Sequence, residues 1–217
     1  MFTETDTASG RVHPYFAAKE IIAALPPRTV VVLDGAEAPA WAEFHLAPSE
    51  PNSTLRLGYL GCLGVGPGFA IGARRADPDR PVAIITGDGA AGFHLGEFDT
   101  MARHGIPAVT MVFNNASWGM SQHGQQAVFG ESGRVVSALA DSAYEQVAIA
   151  FGGYGERVER LEDVGPAIRR AFASGKPAAI NIAVDAEVVH PLTLAMLGDL
   201  SATDSIVIPY YDNIPVA

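Results

Sequence analysis

The sequence predicts an α/β protein: a doubly wound, mostly parallel sheet with helices on both faces. Three observations carry the fold class. Four apolar runs have strand length, amphipathic stretches separate them, and polar signatures, Gly-Asp-Gly and Asn-Asn, close two of the runs.

The runs are TVVVLDG at 29–35, VAIITGDG at 82–89, AVTMVFNN at 108–115 and AAINIAVD at 178–185. Continuous apolar runs of this length are what strands buried on both faces require, as in a parallel sheet. Helices are predicted between them. HPYFAAKEIIAALPP sets Phe16, Ile21 and Leu25 on one side and stops at Pro26; FHLGEFDTMARHG places Leu95, Phe98, Met101 and Ala102 at helical spacing and ends at Gly105. SAYEQVAIAFGG and LEDVGPAIRRAFASG follow the same pattern, the second opening on acids and closing on bases and glycine, as the helix dipole prefers. The alternation of strand and helix points to a doubly wound sheet. No repeat or linker divides the chain, so residues 1–217 are expected to form a single domain, with 186–217 a C-terminal tail or lid in which Tyr210 and Tyr211 could cover a pocket or meet a partner.

A chain of 217 residues with 48% hydrophobic content can bury a full core. Its 14 basic residues against 24 acidic ones, a net charge of −10, exclude nucleic acid as the main partner, and a bound phosphate would need local positive charge. A single cysteine, Cys62, rules out an intrachain disulfide and a thiolate metal site, and reads as a small packing residue, with a redox-sensitive thiol as the alternative. The opening MFTETDTASGRVHPYF lacks the basic and apolar segments of a signal peptide, and no run reaches the roughly 18 apolar residues of a membrane span, so a cytoplasmic protein without membrane contact is expected.

In open α/β sheets ligands gather at the carboxyl ends of the strands. Asp88 and the pair Asn114 and Asn115 fall there. Glycines beside Asp88 let backbone approach a ligand closely, and the N–H groups opening the next helix favour an anion. Carboxylate, amide and backbone carbonyl oxygens form a hard donor set that suits magnesium or calcium, and magnesium commonly completes its octahedron with phosphate oxygens and water. The two strand ends therefore describe a metal-bridged diphosphate site in which Asn114 braces the loop.

Twenty-four residues separate Gly89 from Asn114. That spacing resembles the Gly-Asp-Gly to Asn-Asn signature of thiamine diphosphate enzymes. GYLGCLGVGPGFAIGA, GEFDT, NNASWG, HGQQ and RPVAIITGDG are similar to stretches of benzaldehyde lyase, acetolactate synthase and benzoylformate decarboxylase relatives, over roughly residues 15 to 198. The resemblance implies thiamine diphosphate and magnesium (Mg2+) as cofactors. Asp88 and Asn115 would ligate the metal by side chain and Ser117 by its carbonyl; Gly87, Gly89 and Ala90, with the Asp34-Gly35-Ala36 turn, would line the diphosphate. The Gly61 carbonyl would receive the 4′-amino group of the aminopyrimidine. Leu63 would wedge the cofactor into the bent form that brings that group against the thiazolium C2.

Trp118, Gly119 and Met120 follow the metal loop; Trp118 and Met120 read as packing residues or as lining of the substrate pocket. His123 reads as a surface or loop residue, with proton shuttling as the alternative. His94 and His104 read as structural, and Glu97 as a helix-stabilising acid. Such relatives also carry a pyrimidine-binding domain whose glutamate hydrogen-bonds N1′, and nothing in this sequence fits it. Either the chain is an excised domain, or a second subunit supplies that domain; the split enzyme is favoured, as a heterotetramer of two plus two acting on small carbonyl or 2-oxo acid substrates. The expected activity is carboligation or lysis next to a carbonyl, with a 2-oxo acid decarboxylase subunit or a non-catalytic scaffold as alternatives.

Overall fold

The computed structural model describes residues 2–48 and 50–197. Tyr210, Tyr211 and the rest of the expected tail beyond residue 197 lie outside the described residues.

The chain opens with α1 (Pro14–Ala24), where Pro14 needs no N–H partner and the His13 ring accepts the Tyr15 N–H at 3.2 Å. There follow β1 (Val30–Asp34), α2 (Glu37–Glu43), β2 (Thr54–Arg56), α3 (Gly66–Ala76) and β3 (Val82–Gly87). A single turn, α4 (Asp88–Ala91), runs into a 3-10 turn at Gly92–His94 and then α5 (Glu97–Arg103). The remainder is β4 (Ala108–Asn114), α6 (Gly119–Phe129), α7 (Tyr144–Ala150), β5 (Tyr154–Val158), α8 (Leu161–Ala173), β6 (Ala178–Ala183) and α9 (Pro191–Leu197).

The six strands form one sheet in the order β2-β1-β3-β4-β6-β5, and every neighbouring pair is parallel. Each of the four predicted apolar runs is a strand, and these four are the central ones. Side chains alternate across the pleat, and the core divides accordingly. Val31, Leu33, Ala83, Ile85, Val109 and Met111 pack with α1, α2 and α8 on one face; Val30, Val32, Val82, Ile84 and Ala108 pack with α3, α5 and α7 on the other. Burying each Ile or Val on these strands contributes about 1.5 to 3 kcal/mol. Both faces are covered, and the fold is the doubly wound α/β class that the sequence predicts.

The chain leaves β1 toward β2 on one side and returns to β3 on the other. The crevice between β1 and β3 is thus the point where winding reverses, the usual position of a ligand in such sheets. One expectation needs correction: the amphipathic stretch at 93–105 is no continuous helix but the end of the 3-10 turn Gly92–His94, a break, and then α5. Gly96 stands at that break, where the backbone freedom of glycine disfavours a continued helix.

Candidate functional site

A cleft of about 560 Å³ opens at the carboxyl ends of β1, β3 and β4. Gly35, Ala36, Gly61, Leu63, Gly87, Asp88, Gly89, Ala90, Asn115, Ser117, Trp118, Gly119 and Met120 all line it. Thus thirteen of the fourteen residues expected at the cofactor meet in one cavity, although they come from four separate segments.

Asp88 is the first residue after β3 and only 2% exposed. Its Oδ1 accepts the Gly89 N–H at 2.9 Å and its Oδ2 accepts the Ser117 N–H at 3.1 Å. Burial pushes its carboxyl up to about 6, and the amides of Gly89 and Ser117 oppose that rise only in part. The Tyr144 hydroxyl, from the start of α7, donates to the Asp88 carbonyl at 3.1 Å and fixes the backbone behind the carboxylate.

At the neighbouring strand end, β4 finishes on Asn114, which is fully buried. Its Nδ2 donates to Asp141 Oδ1 at 3.1 Å and to the Ser142 carbonyl at 3.0 Å, while its Oδ1 accepts the Ala116 N–H at 3.1 Å. Both ends of the Asn114 amide are thus tied to neighbouring loop segments, in keeping with its expected bracing role. Ala116 takes a left-handed backbone, φ +55°, and this turns the loop back. The Ser117 N–H therefore reaches Asn115 Oδ1 at 3.1 Å as well as Asp88 Oδ2 at 3.1 Å. Two side-chain oxygens from neighbouring strand ends converge on one amide.

The donor set is oxygen throughout. Among the described residues no cluster of three His, Cys, Asp or Glu side chains offers an alternative metal centre. A Cβ on Gly89 would lie 2.6 Å from the Trp118 ring, and one on Gly119 would lie 2.8 Å from Asn115 Nδ2. These glycines keep backbone open to the cleft at positions where any side chain would fill it. One carboxylate, one amide and exposed backbone fit a hard divalent cation with a diphosphate.

Asp34 is the exception among the expected residues. Its carboxylate, 1% exposed, turns away from the cleft and accepts the N–H groups of Gly64 and Gly66, each at 2.9 Å. It anchors the loop that carries Gly61 and Leu63 and caps α3, so that loop is positioned by β1. Gly61 and Gly64 in this loop have φ of +63° and +82°, which glycine alone adopts without strain. Cys62 is exposed there, not packed as expected.

His123 also departs from expectation. It lies inside α6 and is 2% exposed, between Glu37 and the Ala186 carbonyl, far from a surface position. Burial alone would lower its pKa, but the hydrogen bond and charge of Glu37 outweigh burial and raise it. His94 and His104 are exposed, and Glu97 opens α5. Sequence reasoning missed Glu37, Tyr144 and Thr193. Glu37 directly follows Asp34-Gly35-Ala36 and so carried a local signal; Tyr144 and Thr193 reach the site only through the tertiary fold.

A winding crevice between parallel strands, lined by converging oxygen donors and bare glycine backbone, defines an α/β domain built to take a ligand at its strand ends. The chain belongs to the thiamine pyrophosphate enzyme family: residues 34–182 match its C-terminal TPP binding domain. It is 39% identical over 181 residues to the acetolactate synthase large subunit IlvG of Mycobacterium tuberculosis, covering 83% of this chain and 33% of that protein. It is 36% identical over 156 residues to 2-hydroxyacyl-CoA lyase 2 of Caenorhabditis elegans, covering 72% and 24%. The chain thus spans a third or less of the length of these relatives. The solved 4-hydroxybenzoylformate decarboxylase of Rhodococcus jostii RHA1, described as thiamine diphosphate-dependent, shares the fold with a TM-score of 0.75 and 23% identity, over 85% of this chain and 35% of that one. Among the described residues no helix is long and apolar enough to cross a membrane.

Proposed function

We propose that this chain is the diphosphate-binding component of a two-component enzyme, dependent on thiamine diphosphate and magnesium, that forms or cleaves a carbon–carbon bond next to a carbonyl. The observation that carries this reading is the convergence of Asp88 Oδ2 and Asn115 Oδ1 on the Ser117 amide, each at 3.1 Å. Those two oxygens and the Ser117 carbonyl would hold the magnesium. Gly87, Gly89 and Ala90, with Gly35 and Ala36 across the crevice, would give the diphosphate a wall of backbone. Gly61 and Leu63, on the loop fastened by Asp34, would face the aminopyrimidine and the bent middle of the cofactor. When bound, the cofactor supplies the electron sink for bond chemistry at a carbonyl carbon.

The proposed partner brings a pyrimidine-binding domain and the glutamate for N1′. An apolar rim supports a macromolecular neighbour at this mouth: Tyr59, Leu60 and Phe93 are 102%, 83% and 59% exposed, and Leu192 is 42% exposed. Tyr59 and Leu60 directly precede Gly61, and Phe93 packs on Trp118 at a centroid distance of 5.9 Å. A heterotetramer of two plus two would bring such rims together. The relatives named acetolactate synthase and 2-hydroxyacyl-CoA lyase favour small 2-oxo acids or carbonyl compounds as substrates. A cytoplasmic location is part of the same reading.

The test is co-purification with a polypeptide carrying a pyrimidine domain, then calorimetry with thiamine diphosphate and magnesium and a carbonyl-ligation assay. Binding and turnover that vanish with Asp88→Ala are expected. A complex that takes no cofactor, or that is indifferent to Asp88→Ala, would sink the proposal; turnover limited to loss of carbon dioxide from 2-oxo acids would reassign it to a decarboxylase.

A further inference from the structure

One buried cluster in the cleft wall plays no part in holding metal. His123 Nδ1 lies 2.9 Å from Glu37 Oε1, and its Nε2 lies 2.7 Å from the Ala186 carbonyl oxygen. The carbonyl can only accept, and so can the carboxylate in its ionised form. A neutral imidazole has one N–H, so meeting both acceptors needs a proton on each nitrogen. Turning the ring over would set carbon atoms against the carboxylate and the carbonyl and cost each its bond to the ring.

The cluster extends across three elements. Glu37 opens α2, His123 lies on α6 just beyond the metal loop, and Thr193 on α9 donates its hydroxyl to the same Glu37 Oε1. The other carboxylate oxygen points at the start of α6, 3.1 Å from where a Cβ on Gly119 would sit. Charged groups facing the ring are Glu37 from α2 and Glu187 from the segment after β6, and Glu187 is already paired with Arg134 at 2.6 Å. Glu37, Glu43, Asp88 and Asp185 line the cleft against one arginine, Arg56. An uncompensated Glu37 would oppose any polyanion there.

We propose that His123 is a standing imidazolium that cancels the charge of Glu37 in the wall assigned to the diphosphate and, as a positioning residue, clasps α6 to the segment leading into α9. Its bearing on cofactor binding rests on the thiamine diphosphate reading given above; the clasp itself does not.

Ring nitrogen NMR of the full chain at about pH 7.5 decides the protonation state. Both His123 nitrogens are expected to carry protons, and Glu37→Gln is expected to leave a single neutral tautomer. A neutral His123 in the unaltered chain overturns the proposal. Calorimetry with magnesium and thiamine diphosphate, on the complex with the partner, reads the charge balance. His123→Gln is expected to weaken binding roughly tenfold, and Glu37→Gln with His123→Gln to recover most of that loss. Equal losses in the single and double variants would refute charge cancellation. If the unaltered complex binds no cofactor, the cofactor reading fails instead, and the ring spectra still judge the clasp.

Discussion

Asn114 and Asn115 are neighbours of the same residue type, and their roles differ because the strand ends between them. Asn114 is the last residue of β4 and points into the core, where it donates twice and accepts once. Asn115 lies beyond the strand and lines the cleft. Replacing Asn114 by alanine strips the half-buried Ala116 N–H of its acceptor and Asp141 of a donor, while the Ser142 carbonyl keeps only Asn181, at a cost of about 1 to 3 kcal/mol in urea unfolding. Asn115→Ala removes a proposed ligand with little loss of stability. Calorimetry on the assembled enzyme is expected to show magnesium-dependent cofactor binding fall by the roughly hundredfold or more that loss of a metal partner brings. If the two variants lose stability and binding in parallel, the division of labour is wrong. The sequence distinguishes the two asparagines only through family spacing; the structure supplies the reason, since the pleat decides which side chain faces core and which faces cleft.

At the scale of elements, the loop carrying Gly61 and Leu63 depends on one carboxylate for its anchorage. Asp34→Ala strips the acceptors from the Gly64 and Gly66 amides, and each buried N–H left unpaired costs about 1 to 3 kcal/mol. The expected signature is a lower unfolding midpoint with faster amide exchange confined to residues 58–66; unchanged exchange there would show that the loop is held by other contacts. The elements themselves were unequally legible. The four central strands read directly from apolar runs because both of their faces are covered. The two edge strands gave no such run: Thr54–Arg56 has three residues, and Tyr154–Val158 is largely half-buried and carries Glu156 and Arg157. Helix α3, GPGFAIGARRA, and α6, GMSQHGQQAVF, were hidden by glycine and polar content, since packing and not propensity holds them. The polar face of α6 is where His123 lies. Its partner Glu37 is 86 positions away, so no local pattern could mark the ring as buried.

Across the whole molecule, the buried histidines make stability depend on pH in a way that isolates one of them. Burial depresses His13, His45 and His190 below the ordinary value, so each adds to stability as pH rises, and each effect is complete once pH passes the unfolded value of about 6.5. Asp88 is raised to about 6, so the unliganded chain loses stability as pH climbs from the unfolded carboxylate value through about 6, and that loss too is complete by pH 7. His123 remains. Its folded value lies above the unfolded one, so its contribution is full below about pH 6.5 and is lost as pH rises through the raised value. Tyr144 and Tyr154 are also raised, mainly by burial, but from a starting point of 10.0, beyond this window. Urea midpoints of the unliganded chain are therefore expected to fall from about pH 7 to about pH 9, and the fall is expected to flatten in His123→Gln. The variant itself should be less stable at neutral pH by about 3 to 5 kcal/mol, because Glu37, 9% exposed, loses the ring it is buried against. A slope that survives His123→Gln would place the titrating group elsewhere and leave Glu37 without the protonated ring that the geometry assigns to it.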